Sequence, residues 1–205
     1  MLQRAFDIAC AGAGLVLASP LLLVIAGLIL VDDGGPVLFT QTRVGADRTP
    51  FRIYKFRTMR DGKTTRVGRW LRATGLDELP QLVNMLLGDM SLIGPRPLTF
   101  EDVARLGWDD GRHDVRFSVR PGVIGLAQLY AGRGKRLSWF LDVTYVRERC
   151  AALDLRIVLA TAAIAVLGKR RVRGWLRARR RRAIARDTAP RAATHRELAW
   201  PATSR

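Results

Sequence analysis

From Ala11 to Val31 the chain runs 21 residues without a charge. At about 1.5 Å per residue that is long enough to cross a hydrocarbon core about 30 Å thick. Ser19-Pro20 falls near its middle, where proline removes a backbone donor and forces a kink or a break. Two topologies fit. One is a kinked spanning helix. The other is a re-entrant hairpin of two half-helices whose ends stay on one side, with hydroxyls meeting the backbone groups freed at the break. Arg43, Arg48, Arg52, Lys55, Arg57 and Arg60 crowd the region after the run and place that side in the cytoplasm. A cleaved signal peptide fits poorly, because only Arg4 precedes the run and Asp7 interrupts its start.

Beyond the Asp32-Asp33-Gly34-Gly35-Pro36 turn cluster the apolar period shortens. Val37 to Thr40 and Phe51 to Phe56 alternate and predict a small β-hairpin, with Phe51 and Ile53 inward and Arg52 and Tyr54 outward. Lys55, Arg57 and Arg60 then project from the strand end, suited to phosphate oxygens or to a solvated edge. Asp61 to Arg66 reads as a polar loop, and Trp70-Leu71-Arg72 as the start of a short helix. Leu79, Leu82, Val83, Leu86 and Leu87 recur at helical spacing and make one apolar face. Gly88 suits its C-cap. Gly94-Pro95-Arg96-Pro97 is a stiff bend, Glu101 to Arg116 a solvated helix, Arg120 to Gly125 a turn, and Gly132 to Arg136 a flexible basic loop. Leu153 to Leu167 is a second apolar helix, too short to span comfortably and suited to burial or to the interface.

Charge changes the picture of partners. The 205 residues carry 35 Lys+Arg against 18 Asp+Glu, a formal +17, which points to polyanions: nucleic acid, an anionic membrane or phosphorylated substrates. Thirteen of the basic residues lie from Lys169 onward against only Asp187 and Glu197, so the first 168 residues carry only +6. Val172, Trp175 and Leu176 give that tail an apolar edge fit for an anionic bilayer surface. Cys10 and Cys150 have neither metal-ligand spacing nor a disulfide framework, and His113 and His195 are too isolated for a metal site.

The candidate chemistry centres on Leu76-Asp77-Glu78-Leu79-Pro80-Gln81. Seen alone, adjacent carboxylates at a helix start read as capping groups, and Thr74-Gly75-Leu76-Asp77 reads as a capping box. A basic, membrane-tied body with stiff arginine-bearing turns, however, suits phosphoryl transfer, in which an aspartate can serve as the nucleophile.

Arg4-Ala5-Phe6-Asp7, Ser19-Pro20, Tyr54-Lys55-Phe56-Arg57-Thr58-Met59, Leu76-Asp77-Glu78-Leu79-Pro80-Gln81 and Gly94-Pro95-Arg96-Pro97 occur in an order that closely resembles the bacterial sugar transferases. More narrowly, the series resembles the monotopic polyprenyl-phosphate phosphoglycosyl transferases. Arg120-Pro121-Gly122 and Leu141-Asp142-Val143-Thr144-Tyr145-Val146 extend the match, which runs from about Gln3 to Leu167. The resemblance implies transfer of a phospho-sugar from a UDP-sugar to undecaprenyl phosphate with release of UMP, initiating glycoconjugate or exopolysaccharide synthesis. It implies Asp77 as the nucleophile, Glu78 as its partner, and Mg²⁺ held by Asp77 and Glu78. Lys55, Arg72 and Arg96 would stand near the phosphates or nucleotide, with Pro97 shaping that pocket.

For the fold, the resemblance implies a re-entrant hairpin broken at Ser19 and Pro20. The expected class is α+β and mostly helical: a single compact domain with that hairpin, interfacial amphipathic helices and a small β-hairpin. Residues 1–31 would be the membrane helix, 32–168 the catalytic domain on the cytoplasmic face of the inner membrane, and 169–205 an Arg-rich tail. The expected partners are UDP-sugar, undecaprenyl phosphate and membrane lipids, and no nucleic acid. The competing class is a catalytically inactive, membrane-tethered basic scaffold or nucleic-acid-binding protein. It would place function in the tail, and the separation of most excess charge from the motif-bearing body argues against it.

Overall fold

In a computed structural model, which describes residues 2–130, 134–167 and 174, the apolar run forms one helix, α1 (Leu2–Asp33), with Pro20 inside it. Proline cannot donate to the carbonyl four residues back, Val16 O, and the Ser19 hydroxyl donates to that carbonyl instead at 2.8 Å. The carbonyl that Pro20 leaves without its helical donor is thereby satisfied locally, and the helix runs on through Ser19-Pro20 without the expected division into two half-helices. Gln3–Asp33 is long and apolar enough to cross a membrane, and little of it is covered: Leu17 and Val31 are more than 80% exposed. The inward side of α1 supplies Ala11, Ile25 and Ile29 to the core. Gly14 lets it approach the rest of the fold closely, since a Cβ there would stand 3.2 Å from Leu82 Cδ1.

After the turn, β1 (Leu38–Val44) pairs antiparallel with β2 (Pro50–Phe56), with Leu38 opposite Phe56 and Val44 opposite Pro50. The predicted hairpin is present, with a longer first strand. Ile53 is buried and Arg52 exposed, as the alternation requires, and Lys55 shares the inward face of Phe51 and Ile53. The expected loop from Asp61 to Arg66 is instead partly a second small hairpin, β3 (Met59–Arg60) with β4 (Lys63–Thr64), turning on Asp61 and Gly62 at positive φ. Helix α2 (Arg66–Thr74) follows, capped by the Thr65 hydroxyl accepting from Gly68 N–H. A short turn of 3₁₀ helix, Leu76–Glu78, leads into α3 (Gln81–Leu87).

The strand β5 (Ser91–Ile93) pairs parallel with β6 (Gly122–Ile124). The segment expected as a turn at Arg120–Gly125 therefore contains a strand, and backbone contact explains its glycine. A Cβ on Gly122 would lie 2.0 Å from Gly94 N. Between these strands the expected solvated helix is instead α4 (Phe100–Leu106), a 3₁₀ turn and α5 (Asp114–Phe117), with Val103, Trp108, Arg116 and Phe117 buried. His113 stacks on Trp108, meets Trp139 edge-on and pairs with Asp110. The chain continues through α6 (Leu126–Leu129), α7 (Lys135–Glu148) and α8 (Ala151–Leu167). On α8, Leu155 and Leu159 are exposed, while Ile157 packs with Ile93 and Tyr145.

The described residues are thus mostly helical with a few small strands. The chain divides into two compact units, residues 1–162 and 163–205. Most of the basic tail, and the loop residues 131–133, lie outside the described residues.

Candidate active site

Asp77 and Glu78 stand in the 3₁₀ turn ahead of α3 and not in its first turn. The expected capping box does not form. Gly75 takes a left-handed conformation that ends α2, and the Thr74 hydroxyl donates back to Trp70 O and Leu71 O. The carboxylates are thereby released from the capping role. The helix that follows is also turned from the simplest amphipathic reading: Gln81, Asn84 and Met85 face the interior, while Val83, Leu86 and Leu87 are exposed. Asn84 explains the inward polar face. Its side chain accepts from Tyr54 N–H at 3.0 Å and donates to Arg52 O at 2.6 Å, fastening α3 to β2.

That fastening sets Lys55 against the carboxylates. Lys55 Nζ lies 2.7 Å from Glu78 Oε1, and Arg96 Nη2 lies 3.9 Å from the same oxygen. Lys55, Glu78, Arg96 and Pro97 line one narrow cleft together with Arg43, Gln81 and Gln128. Asp77 stands beside this cleft within electrostatic reach of Glu78, Lys55 and Arg72. Burial pushes its carboxyl above the ordinary aspartate range, and the Glu78 charge adds to that; Lys55, its own backbone N–H and Arg72 pull it back. Arg72 is held by donating from Nε to Thr58 Oγ1 at 2.8 Å. Gly68 permits this packing, because a Cβ there would meet Thr58 O at 2.2 Å.

The bend at 94–97 is clamped from below. Buried Arg116 donates from Nε to Asp142 Oδ2 at 2.8 Å and from Nη2 to Arg96 O at 2.7 Å. Burial drives both partners toward neutrality, Arg116 down and Asp142 up, and their attraction opposes it. The backbone of Arg96 is therefore fixed while its side chain stays half-exposed toward Glu78.

Of the residues expected at the site, Lys55, Glu78, Arg96 and Pro97 line the cleft, while Asp77 and Arg72 are outside its lining and within electrostatic reach of one another. Ser19 and Pro20 are exposed within α1 and repair its backbone. Arg57 and Arg60 are not free for phosphates. Arg57 donates to Asp33 Oδ2 from Nε and Nη2 at 3.2 and 3.0 Å, and Arg60 donates to Asp33 O.

Arg43 and Gln81 are cleft residues that sequence reasoning missed. Among the described residues, Arg43 Nε and Gln81 Nε2 are buried without a hydrogen-bond partner, a costly state unless a ligand supplies acceptors. Gln81 was within the motif, but nothing in the pattern separated it from a helix-start residue. Arg43 looked like one of many basic residues.

No group of three or more His, Cys, Asp or Glu side chains among the described residues could hold a metal ion alone. Two adjacent carboxylates with no third protein ligand fit Mg²⁺, which is commonly bound by one or two carboxylates and completed by substrate phosphates.

Residues 1–168 match the family model described as bacterial sugar transferase. Among curated proteins, the chain is 37% identical over 184 residues to the UDP-glucose:undecaprenyl-phosphate glucose-1-phosphate transferase of Escherichia coli, covering 78% of this chain and 39% of that protein. It is 39% identical over 180 residues to the protein of the same name from Caulobacter vibrioides, covering 78% and 67%. It is 36% identical over 192 residues to the exopolysaccharide production protein PSS of Rhizobium leguminosarum, covering 78% and 93%. The chain thus spans about two fifths of the Escherichia coli relative and nearly all of the Rhizobium one.

Proposed function

The chain belongs to the bacterial sugar transferase family, and from that premise we propose that it transfers a phospho-sugar from a UDP-sugar to undecaprenyl phosphate, releasing UMP, in exopolysaccharide or glycoconjugate synthesis. The observation that carries this reading is the cleft itself. Lys55, Arg96 and two buried, unpaired N–H donors, Arg43 Nε and Gln81 Nε2, line it together with Glu78, and Asp77 stands within electrostatic reach of Lys55 and Glu78. Such donors answer phosphate oxygens.

In the first step an Asp77 oxygen attacks the β-phosphorus of the donor. The bond from that phosphorus to the bridging oxygen breaks, and UMP leaves with the electron pair. In the second step an oxygen of undecaprenyl phosphate attacks the same phosphorus, the bond to Asp77 breaks, and the carboxylate is restored. Lys55 holds Glu78 and draws the Asp77 carboxyl toward its nucleophilic, ionised form. Arg96 and Arg43 bind and orient the diphosphate, and Pro97 stiffens the wall that presents Arg96. Mg²⁺, held by Asp77 and Glu78, would supply charge neutralisation at the phosphates when bound.

A re-entrant topology at the cytoplasmic face of the inner membrane is part of the same proposal. A straight 32-residue helix is about 48 Å long, yet both ends of α1 are tied to one unit. At one end Arg4 donates to Met85 O and Leu86 O, and Asp7 accepts from Ser91 Oγ and Leu92 N–H. At the other end Asp32 accepts from Val67 N–H and Asp33 from Arg57. Ends so tied favour a hairpin that returns to its own side, with residues 1–31 as membrane helix, 32–168 as catalytic region and 169–205 as a surface-binding tail.

The test is release of UMP by the full chain in detergent with Mg²⁺ and undecaprenyl phosphate across a panel of UDP-sugars. Release with at least one donor is expected, and silence across the panel would overturn the activity. For topology, cysteines at Gln3 and Lys63 should label with equal accessibility in intact cells. Opposite accessibility would rule out the hairpin.

A further inference from the structure

A second cavity, of about 300 Å³, lies between the start of α1 and the α7–α8 junction and shares no lining residue with the catalytic cleft. The β5–β6 pair gives β6 residues Gly122 and Val123 to the cleft and β5 residues Ser91 and Ile93 to this cavity. Its charged lining is Arg4, Arg120 and Arg149 against one carboxylate, Asp7. Asp7 is 2% exposed and already accepts from Ser91 Oγ at 3.0 Å and Leu92 N–H at 2.9 Å, so it is committed to holding α1 on β5. Arg4 is partly committed to the C-terminal carbonyls of α3. Arg120 and Arg149 are exposed and make no hydrogen bond or ion pair among the described residues, though Asp154 stands within electrostatic reach of Arg149. Gln3, Ser118 and Tyr145 add neutral polar groups to the wall, each already donating within the fold: to Ser91 Oγ, to Val115 O, and to Ile93 O or Asp154 Oδ1.

The surroundings define the ligand further. Asp7 is flanked by Phe6 and Ile8, both exposed, and α8, joined to the cavity through the 3.1 Å contact of Tyr145 Oη with Asp154 Oδ1, exposes Leu155 and Leu159. An anion seated between the two guanidinium groups would thus have apolar helix surface beside it. We propose that this cavity is a binding site for the phosphate of an anionic phospholipid, separate from the catalytic cleft, with Arg120 and Arg149 holding the headgroup and the exposed faces of α1 and α8 meeting its acyl chains. A free nucleotide or inorganic phosphate would use the guanidinium groups and leave the apolar faces unused. The proposal stands apart from the transferase reading, since it needs the membrane placement of α1 and α8 but not the chemistry at Asp77.

The full chain in a neutral detergent, analysed by native mass spectrometry with phosphatidylglycerol, phosphatidylcholine and inorganic phosphate in separate arms, tests it. Phosphatidylglycerol should be retained in preference to phosphatidylcholine, and inorganic phosphate at equal concentration should not displace it. The double variant Arg120→Gln/Arg149→Gln should weaken phosphatidylglycerol retention by at least about tenfold while leaving UMP release in saturating detergent-solubilised acceptor unchanged. If that variant loses its cooperative melting transition, Arg120→Lys/Arg149→Lys carries the test, because it keeps the charge but loses the planar fork and should bind several-fold more weakly. Equal retention of the two lipids, undiminished retention in both variants, or displacement by inorganic phosphate would each overturn the assignment.

Discussion

Two of the adjacent carboxylate pairs, Asp32-Asp33 and Asp77-Glu78, each stand close to a cation at the C-terminal end of β2, Arg57 and Lys55 respectively. At the first, every polar demand is met. Asp33 is buried and takes two bonds from Arg57 and one from Gly35 N–H, and Asp32 receives Val67 N–H. At the second, Lys55 answers Glu78, while Asp77 is pushed toward its protonated form by burial and by its neighbour. Lys55 and Arg57 are two residues apart, yet one completes a structural joint and the other lines a cleft with unpaired donors. Saturation, and not residue type, separates the carboxylates that hold the fold from those available for chemistry.

The largest effect expected from breaking this contrast is at Asp77. Asp77→Asn should lower UMP release by at least about 10³-fold, while Asp33→Asn should leave the activity of folded protein nearly intact; comparable losses in both would erase the distinction. Next, Lys55→Gln should cost about 10²-fold in kcat. Because Lys55 lowers the Asp77 pKa, its removal should also move the acid limb of the kcat/KM–pH profile upward. A limb that moved downward would contradict the assigned role. Asp33→Asn should instead appear in stability, at about 2–3 kcal/mol, by leaving half-buried Arg57 without its ion-pair partner; chemical denaturation of the detergent-solubilised protein reads it.

The smallest effect has the opposite sign. The Asp77 carboxyl is raised in the folded state, so its contribution to stability is fully present below the unfolded pKa and is lost as pH rises through the folded pKa. At neutral pH, Asp77→Asn should therefore raise the melting temperature, by about 1–2 °C, and the gain should vanish in acid.

Much of this was legible in the chain. Alternation over Phe51–Phe56 placed Ile53 inside. The ordered motifs alone assign Lys55, Asp77, Glu78 and Arg96 to one site. What was not legible depended on contacts distant in sequence. No local pattern shows that Arg57 and Arg60 are consumed by Asp33, or that Gly122 is a strand glycine pressed on Gly94. The 3₁₀ turn that removes Asp77 from capping arises because Gly75 ends α2 and Asn84 pins α3 to β2. Arg43 and Gln81 became distinguishable only when their unpaired N–H groups were found facing the same cleft.

The central claim, that Asp77 carries the phospho-sugar between donor and acceptor, is tested most directly by mixing the full chain with an active UDP-sugar and Mg²⁺ in the absence of undecaprenyl phosphate, then measuring UMP and mapping the intact protein by mass. The account predicts one UMP per active chain and a phospho-sugar mass on the peptide containing Asp77, discharged when undecaprenyl phosphate is added. Release of UMP only when the acceptor is present, with no adduct, or an adduct on another residue, would contradict it.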